Sequence, residues 1–106
     1  MRKINLAITG CMGRMGQQLI KSSRKDVDFK LVTLTENRLV NNRFYGIKPE
    51  LNSDKAFKKT EVIIDFTIPN CTLEILKIAT RLKKKVVIGT TGFDRRQENL
   101  IKKYSK

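Results

Sequence analysis

The sequence predicts an α/β fold, a doubly wound parallel sheet in a single domain spanning residues 1–106. Three observations predict it. Short runs at residues 4–9, 62–66 and 86–88 are almost continuously apolar and rich in Ile and Val, as strands buried on both faces are. Amphipathic helical patterns separate them. A glycine-rich turn, GCMGRMG at residues 10–16, joins the first run to the first helical pattern.

Each element has its own justification. Residues 4–9 form the first strand, and residues 15–23 the first helix, with Met15, Leu19 and Ile20 on one face. Residues 29–35 alternate more, which predicts a strand nearer a sheet edge. Residues 37–60 hold Asn41, Asn42, Gly46 and Pro49 and read as a loop, with one short helix around residues 54–58. Residues 62–66 give the third strand. Residues 72–82 repeat Leu73, Leu76, Ile78, Ala79 and Leu82 at helical spacing. Residues 86–88 give the fourth strand. Residues 94–106 open on Asp94, an N-cap type, and carry Leu100, Ile101 and Tyr104 on one side. Strands alternating with helices argue for right-handed βαβ units. There is no internal repeat and no low-complexity tract.

Composition narrows the function classes. At 40% hydrophobic and 31% charged residues the chain is globular, and one core of modest size is all that 106 residues can bury. No run approaches the ~20 apolar residues of a membrane span. The apolar run behind the basic amino terminus is too short and broken for a signal peptide. Two cysteines without such a signal argue for reduced thiols and a cytoplasmic location. With no histidine and no C-x-x-C, no zinc site or other metal site is expected. The formal net charge of +13 raises a nucleic-acid surface as a reading. Placement argues against it. Lys83, Lys84 and Lys85 fall where a helix should end, where the helix dipole favours cations. Lys58, Lys59, Lys102 and Lys103 also fall at expected element ends, and no aromatic-rich basic strand is present.

The glycine turn carries the chemistry. Strand, G-x-x-G-x-x-G, helix is a variant of the dinucleotide fingerprint, with Met12 where the middle glycine usually stands and Gly13 following it. Gly10 permits the tight turn, Gly13 lets the backbone approach a pyrophosphate, and Gly16 lets the helix pack closely on the sheet. Arg14 stands in a helix first turn, where the macrodipole disfavours a cation by up to ~1 kcal/mol, and a neighbouring anion would explain it. Glu36 ends the second strand 20 residues beyond Gly16, where a carboxylate can accept from both ribose hydroxyls. Residues 65–69 (DFTIP) and 89–93 (GTTGF) end the third and fourth strands. Ligands of open α/β sheets bind outside such carboxyl ends, so these stretches form one rim.

With GCMGRMG, IIDFTIP (residues 63–69) and VIGTTGF (residues 87–93) in that order and spacing, the chain resembles the amino-terminal domain of the 4-hydroxy-tetrahydrodipicolinate reductase (dihydrodipicolinate reductase) family of bacterial lysine and diaminopimelate biosynthesis. The resemblance covers nearly the whole chain, most loosely residues 37–60. It implies a Rossmann-type domain that binds NADH or NADPH. Carried over by position, Gly10, Cys11, Met12, Gly13, Arg14 and Met15 would contact the pyrophosphate and Glu36 the adenosine ribose. Phe66 and Thr67 would line the cleft, and Gly89, Thr90 and Thr91 would lie against the nicotinamide half. The family often has an arginine just after the ribose acid, where it pairs with the 2′-phosphate of NADPH. Here Asn37 holds that place with Arg38 next, which leaves the cofactor preference open.

Family members are longer. The resemblance places substrate binding, the catalytic acid and the homotetramer contacts in a second, α+β domain with a histidine-rich motif and a lysine. This chain has no histidine and stops at Lys106. It therefore reads as a cloned domain or a truncated gene product, with no catalytic acid of its own and little activity alone. The competing readings are a stand-alone NAD(P)-binding module or sensor, which shares the site, and a basic nucleic-acid binder, whose affinity would depend strongly on salt.

Overall fold

Five parallel strands make one sheet, in the order β3-β2-β1-β4-β5, in the computed structural model, which describes residues 3–41, 43–90 and 92–104. In chain order the elements are β1 (Ile4–Thr9), α1 (Arg14–Lys25), β2 (Phe29–Glu36), β3 (Glu50–Leu51), α2 (Asp54–Phe57), β4 (Val62–Asp65), α3 (Pro69–Leu82), β5 (Lys85–Ile88) and α4 (Arg95–Tyr104). The expected doubly wound α/β architecture is present. Among the described residues no helix is long and apolar enough to cross a membrane.

β1 is the central strand, which explains its apolar run. Leu6 and Ile8 point to one face and pack with Cys11, Ile20 of α1 and Leu34 of β2. Ala7 points to the other and packs with Phe57 of α2, Ile63 of β4, and Ile75 and Ala79 of α3. Burying a Leu or Ile side chain fully is worth ~1.5–3 kcal/mol, so this strand anchors both cores. The parallel register sets Thr9 opposite Thr35 and Asp65, and Asp65 opposite Ile88, so the carboxyl ends of β1, β2, β4 and β5 share one edge.

Helix boundaries follow local chemistry. α1 begins one residue before its expected start and runs to Lys25, where the Asp26 N–H bonds the Ser23 carbonyl. α3 starts at Pro69, whose missing N–H costs nothing in a first turn. It ends at Lys83, a left-handed residue at φ 59°, whose N–H bonds the Ala79 and Thr80 carbonyls. α4 is opened by a reciprocal capping box. The Gln97 N–H donates to Asp94 Oδ1 at 2.8 Å, and the Asp94 N–H donates to Gln97 Oε1 at 2.9 Å. Arg81 of α3 pairs with Asp54 of α2, its Nε 3.0 Å from Oδ2.

Three expectations differ from the fold. β5 is an edge strand rather than one buried on both faces, and Val87 is 57% exposed. β2 does lie toward the other edge, one strand in because residues 50–51 add the short β3 beside it. Met15 is half-exposed and leaves the core face of α1 to Leu19 and Ile20. β4 ends at Asp65, so Phe66 opens the loop. The short helix near residue 54 is α2, capped by Ser53, whose hydroxyl accepts from the Ala56 N–H. Before β3, Phe44 and Ile47 bridge across Tyr45 and Gly46, both at positive φ, a pairing that a type I′ turn uses.

Candidate functional site

The glycine turn is closed to side chains at two of its three glycines. Gly10 has φ 64°, and a Cβ there would lie 2.3 Å from the Phe66 carbonyl oxygen. A Cβ on Gly16 would lie 2.2 Å from the Gly10 carbonyl oxygen. Gly13 is the N-cap of α1, exposed, with its N–H on the Gly10 carbonyl at 3.0 Å. No side chain caps the helix and no acid stands in its first turn, so its leading N–H groups are free for an anion. Arg14, the first helical residue, is exposed and has no carboxylate partner among the described residues. This arrangement fits a bound pyrophosphate. The Cys11 side chain turns into the core, and burial, with Glu36 nearby, raises its thiol pKa to about 11.

Glu36 closes the turn from the side. Its Oε2 accepts from the Met12 N–H at 3.0 Å and its Oε1 from the Asn37 N–H at 3.1 Å. Each carboxylate oxygen keeps lone-pair capacity for a further donor. Beside it lies a cleft of about 200 Å³ lined by Gly10, Gly13, Glu36, Asn37, Phe66, Thr67, Ile68 and Cys71. The structure thus brings six of the sequence-predicted residues into one cleft. Arg38 is exposed and does not line it. Ile68, from the rim stretch 65–69, also lines it, as does Cys71, which was not anticipated. The Cys71 thiol is pushed up by burial and by the acids Glu74, Asp65 and Glu36, against a hydrogen bond with Asn37.

Gly89 and Thr90 do not line the cleft but stand behind its Phe66 and Thr67 wall. A Cβ at Gly89 would strike the Phe66 ring at 2.1 Å, so the glycine leaves the ring its place. Thr90 is 8% exposed and its hydroxyl is committed inward, accepting from the Thr67 N–H at 2.9 Å and donating to Asp65 Oδ2 at 3.1 Å. Thr91 lies outside the described residues. Asp65 itself is fully buried. Its Oδ1 accepts from Thr9 at 2.6 Å and Thr67 at 2.8 Å, and its Oδ2 also accepts from the Thr72 hydroxyl. The sequence signal for this hub is an acid ending an apolar run with threonine at other strand ends.

A family model described as "Dihydrodipicolinate reductase, N-terminus" matches residues 4–106. The chain belongs to the dihydrodipicolinate reductase family. A curated 4-hydroxy-tetrahydrodipicolinate reductase of Pelagibacter ubique is 65% identical over 106 residues, covering 100% of this chain and 41% of that protein. One of Bdellovibrio bacteriovorus is 34% identical, covering 100% of this chain and 42% of its own length. The chain therefore spans under half the length of the reductases it matches. A solved dihydrodipicolinate reductase of a Paenisporosarcina species, bound to dipicolinate, has a TM-score of 0.78 at 22% identity, over 98% of this chain and 43% of that one. A Plasmodium falciparum pyrroline carboxylate reductase solved with NADP has a TM-score of 0.64 at 15% identity, over 95% of this chain and 39% of that one. At these identities the structures share the fold with this chain.

Proposed function

We propose that this chain is the cofactor-binding part of an NAD(P)H-dependent 4-hydroxy-tetrahydrodipicolinate reductase serving lysine and diaminopimelate biosynthesis. The observation that carries it is the glycine cradle: backbone oxygens fill the space a Cβ would need at Gly10 and Gly16, beside an uncapped helix start and an Arg14 with no carboxylate partner among the described residues. The helix N–H groups and the Arg14 guanidinium hold the pyrophosphate. Glu36 accepts from the adenosine ribose through its remaining lone pairs. Phe66 and Thr67 wall the cleft, and Gly89 and Thr90 border the nicotinamide half. The bound dinucleotide supplies the hydride for a cyclic dicarboxylate. The groups that bind this substrate, protonate it and assemble a homotetramer are proposed to lie beyond these 106 residues. Arg38, two residues after Glu36, is the nearest cation in sequence for a 2′-phosphate.

Calorimetric titration of the chain with NADH and NADPH, at moderate and high salt, tests this. Saturable binding that persists at high salt is expected. Hydrogen bonds to a charged group are worth ~1.5–3 kcal/mol, so Glu36→Ala should weaken NADH binding roughly 10- to 100-fold. Unchanged affinity in Glu36→Ala would remove the ribose from Glu36. Binding to any nucleic acid that collapses with salt, with none to either dinucleotide, would overturn the reading.

A further inference from the structure

We propose that Asp65 is a positioning residue that holds the nicotinamide side of the cleft, separately from the anchors of the adenosine side; this rests on the dinucleotide reading above. The adenosine side has its own fastenings. Gly10 is tied to Gly13 through its carbonyl, the Cys11 N–H reaches the Thr35 carbonyl at 3.3 Å, and the Met12 N–H reaches Glu36. None of these bonds involves the Asp65 side chain.

The opposite side depends on it. Asp65 is fully buried and receives hydroxyls from four places: the end of β1 (Thr9), the loop after β4 (Thr67), the first turn of α3 (Thr72) and the loop after β5 (Thr90). Thr67 and Thr90 are also joined directly, backbone N–H to hydroxyl. Phe66, the cleft wall, is fixed between Asp65 and Thr67, and its ring fills the space above Gly89. Each oxygen of Asp65 accepts two hydroxyls, an arrangement that needs acceptors only. An amide turns one of those acceptors into a donor, so a pair of threonine hydroxyls must reverse. Thr90 already accepts from the Thr67 N–H, so accepting from the amide too would fill its second lone pair and leave its own O–H without the carboxylate.

The test separates the two sides with two probes, NADH and ADP-ribose, the latter lacking the nicotinamide ring. Asp65→Asn should weaken NADH at least 10-fold and leave ADP-ribose within about 2-fold of the parent chain. Thr90→Val should show the same split. A scaffold role alone would weaken both probes equally or neither, and either result overturns the proposal. If Asp65→Asn does not fold, the Thr90→Val split decides by the same criterion. A parent chain that binds neither probe would instead overturn the dinucleotide reading and the proposal with it. A parent chain that binds ADP-ribose and NADH equally well would leave the adenosine side standing and overturn the role of Asp65.

Discussion

A methyl group at Gly16 would have to share space with the Gly10 carbonyl oxygen, and neither is a flexible side chain that could swing away. Gly16→Ala should therefore destabilise the chain by ~1–3 kcal/mol in urea unfolding, the usual range for overpacking, and weaken dinucleotide binding as the helix start shifts. Cysteine behaviour gives a second prediction. The Cys11 thiol is raised to about 11, chiefly by burial and then by Glu36, above the ~8.5 of an unfolded thiol. The folded state thus holds the proton more tightly. Its contribution to stability is full below pH ~8.5 and is lost as pH rises through about 11, so Cys11→Ala should flatten that alkaline fall in thermal melts. At pH 8, iodoacetamide followed by mass spectrometry should find half-buried Cys71 modified before buried Cys11, with saturating NADH protecting Cys71 at the cleft. Gly10 and Gly16 were legible in the sequence because a positive φ at one and a close backbone approach at both leave few other residues possible. The Asp65 hub was legible only as an acid ending an apolar run. Its donors come from positions 9, 67, 72 and 90, and only the parallel register gathers them.

At the scale of elements, Lys83 is a left-handed non-glycine residue closing α3. That conformation costs an L-residue ~1–2 kcal/mol, and glycine would give back ~0.4–1 kcal/mol through its freer unfolded chain. Lys83→Gly should therefore gain about 0.5–1 kcal/mol, read as a Tm rise of a few degrees. The regular elements were legible because β1 and α3 repeat their apolar positions long enough for a period to show. β3 has two residues and no period, so sequence alone could not reveal it. The edge position of β5 was hidden for a different reason. Val86, Val87 and Ile88 read as doubly buried, but in the described sheet β5 has a strand on one side only. Met15 misled in the same way: an apolar residue at helical spacing lies one position off the buried stripe that Leu19 and Ile20 define.

Across the whole molecule, a net charge of +13 on 106 residues sets cations against one another, with Lys3, Lys30, Lys83 and Lys85 exposed near the amino ends of strands. Raising ionic strength shortens the Debye length to about 10 Å at 0.1 M, so Tm should rise between 20 and roughly 300 mM NaCl in a melt followed by circular dichroism. The strand order has a consequence of another kind. β1, α1 and β2 precede residue 37, and all later elements follow residue 49, so the connection between them joins two halves of the sheet. Arg38 and Arg43 are exposed within it. A tryptic nick there would leave two pieces, neither able to close a core alone: Ala7 needs Phe57 and Ile63, and Leu34 lies in the cluster that Phe44, Ile47 and Ile64 complete. The cleft divides the same way, Gly10, Gly13, Glu36 and Asn37 on one piece and Phe66, Thr67, Ile68 and Cys71 on the other. The domain is thus a natural split reporter, two half-sites whose reunion a dinucleotide would both favour and announce.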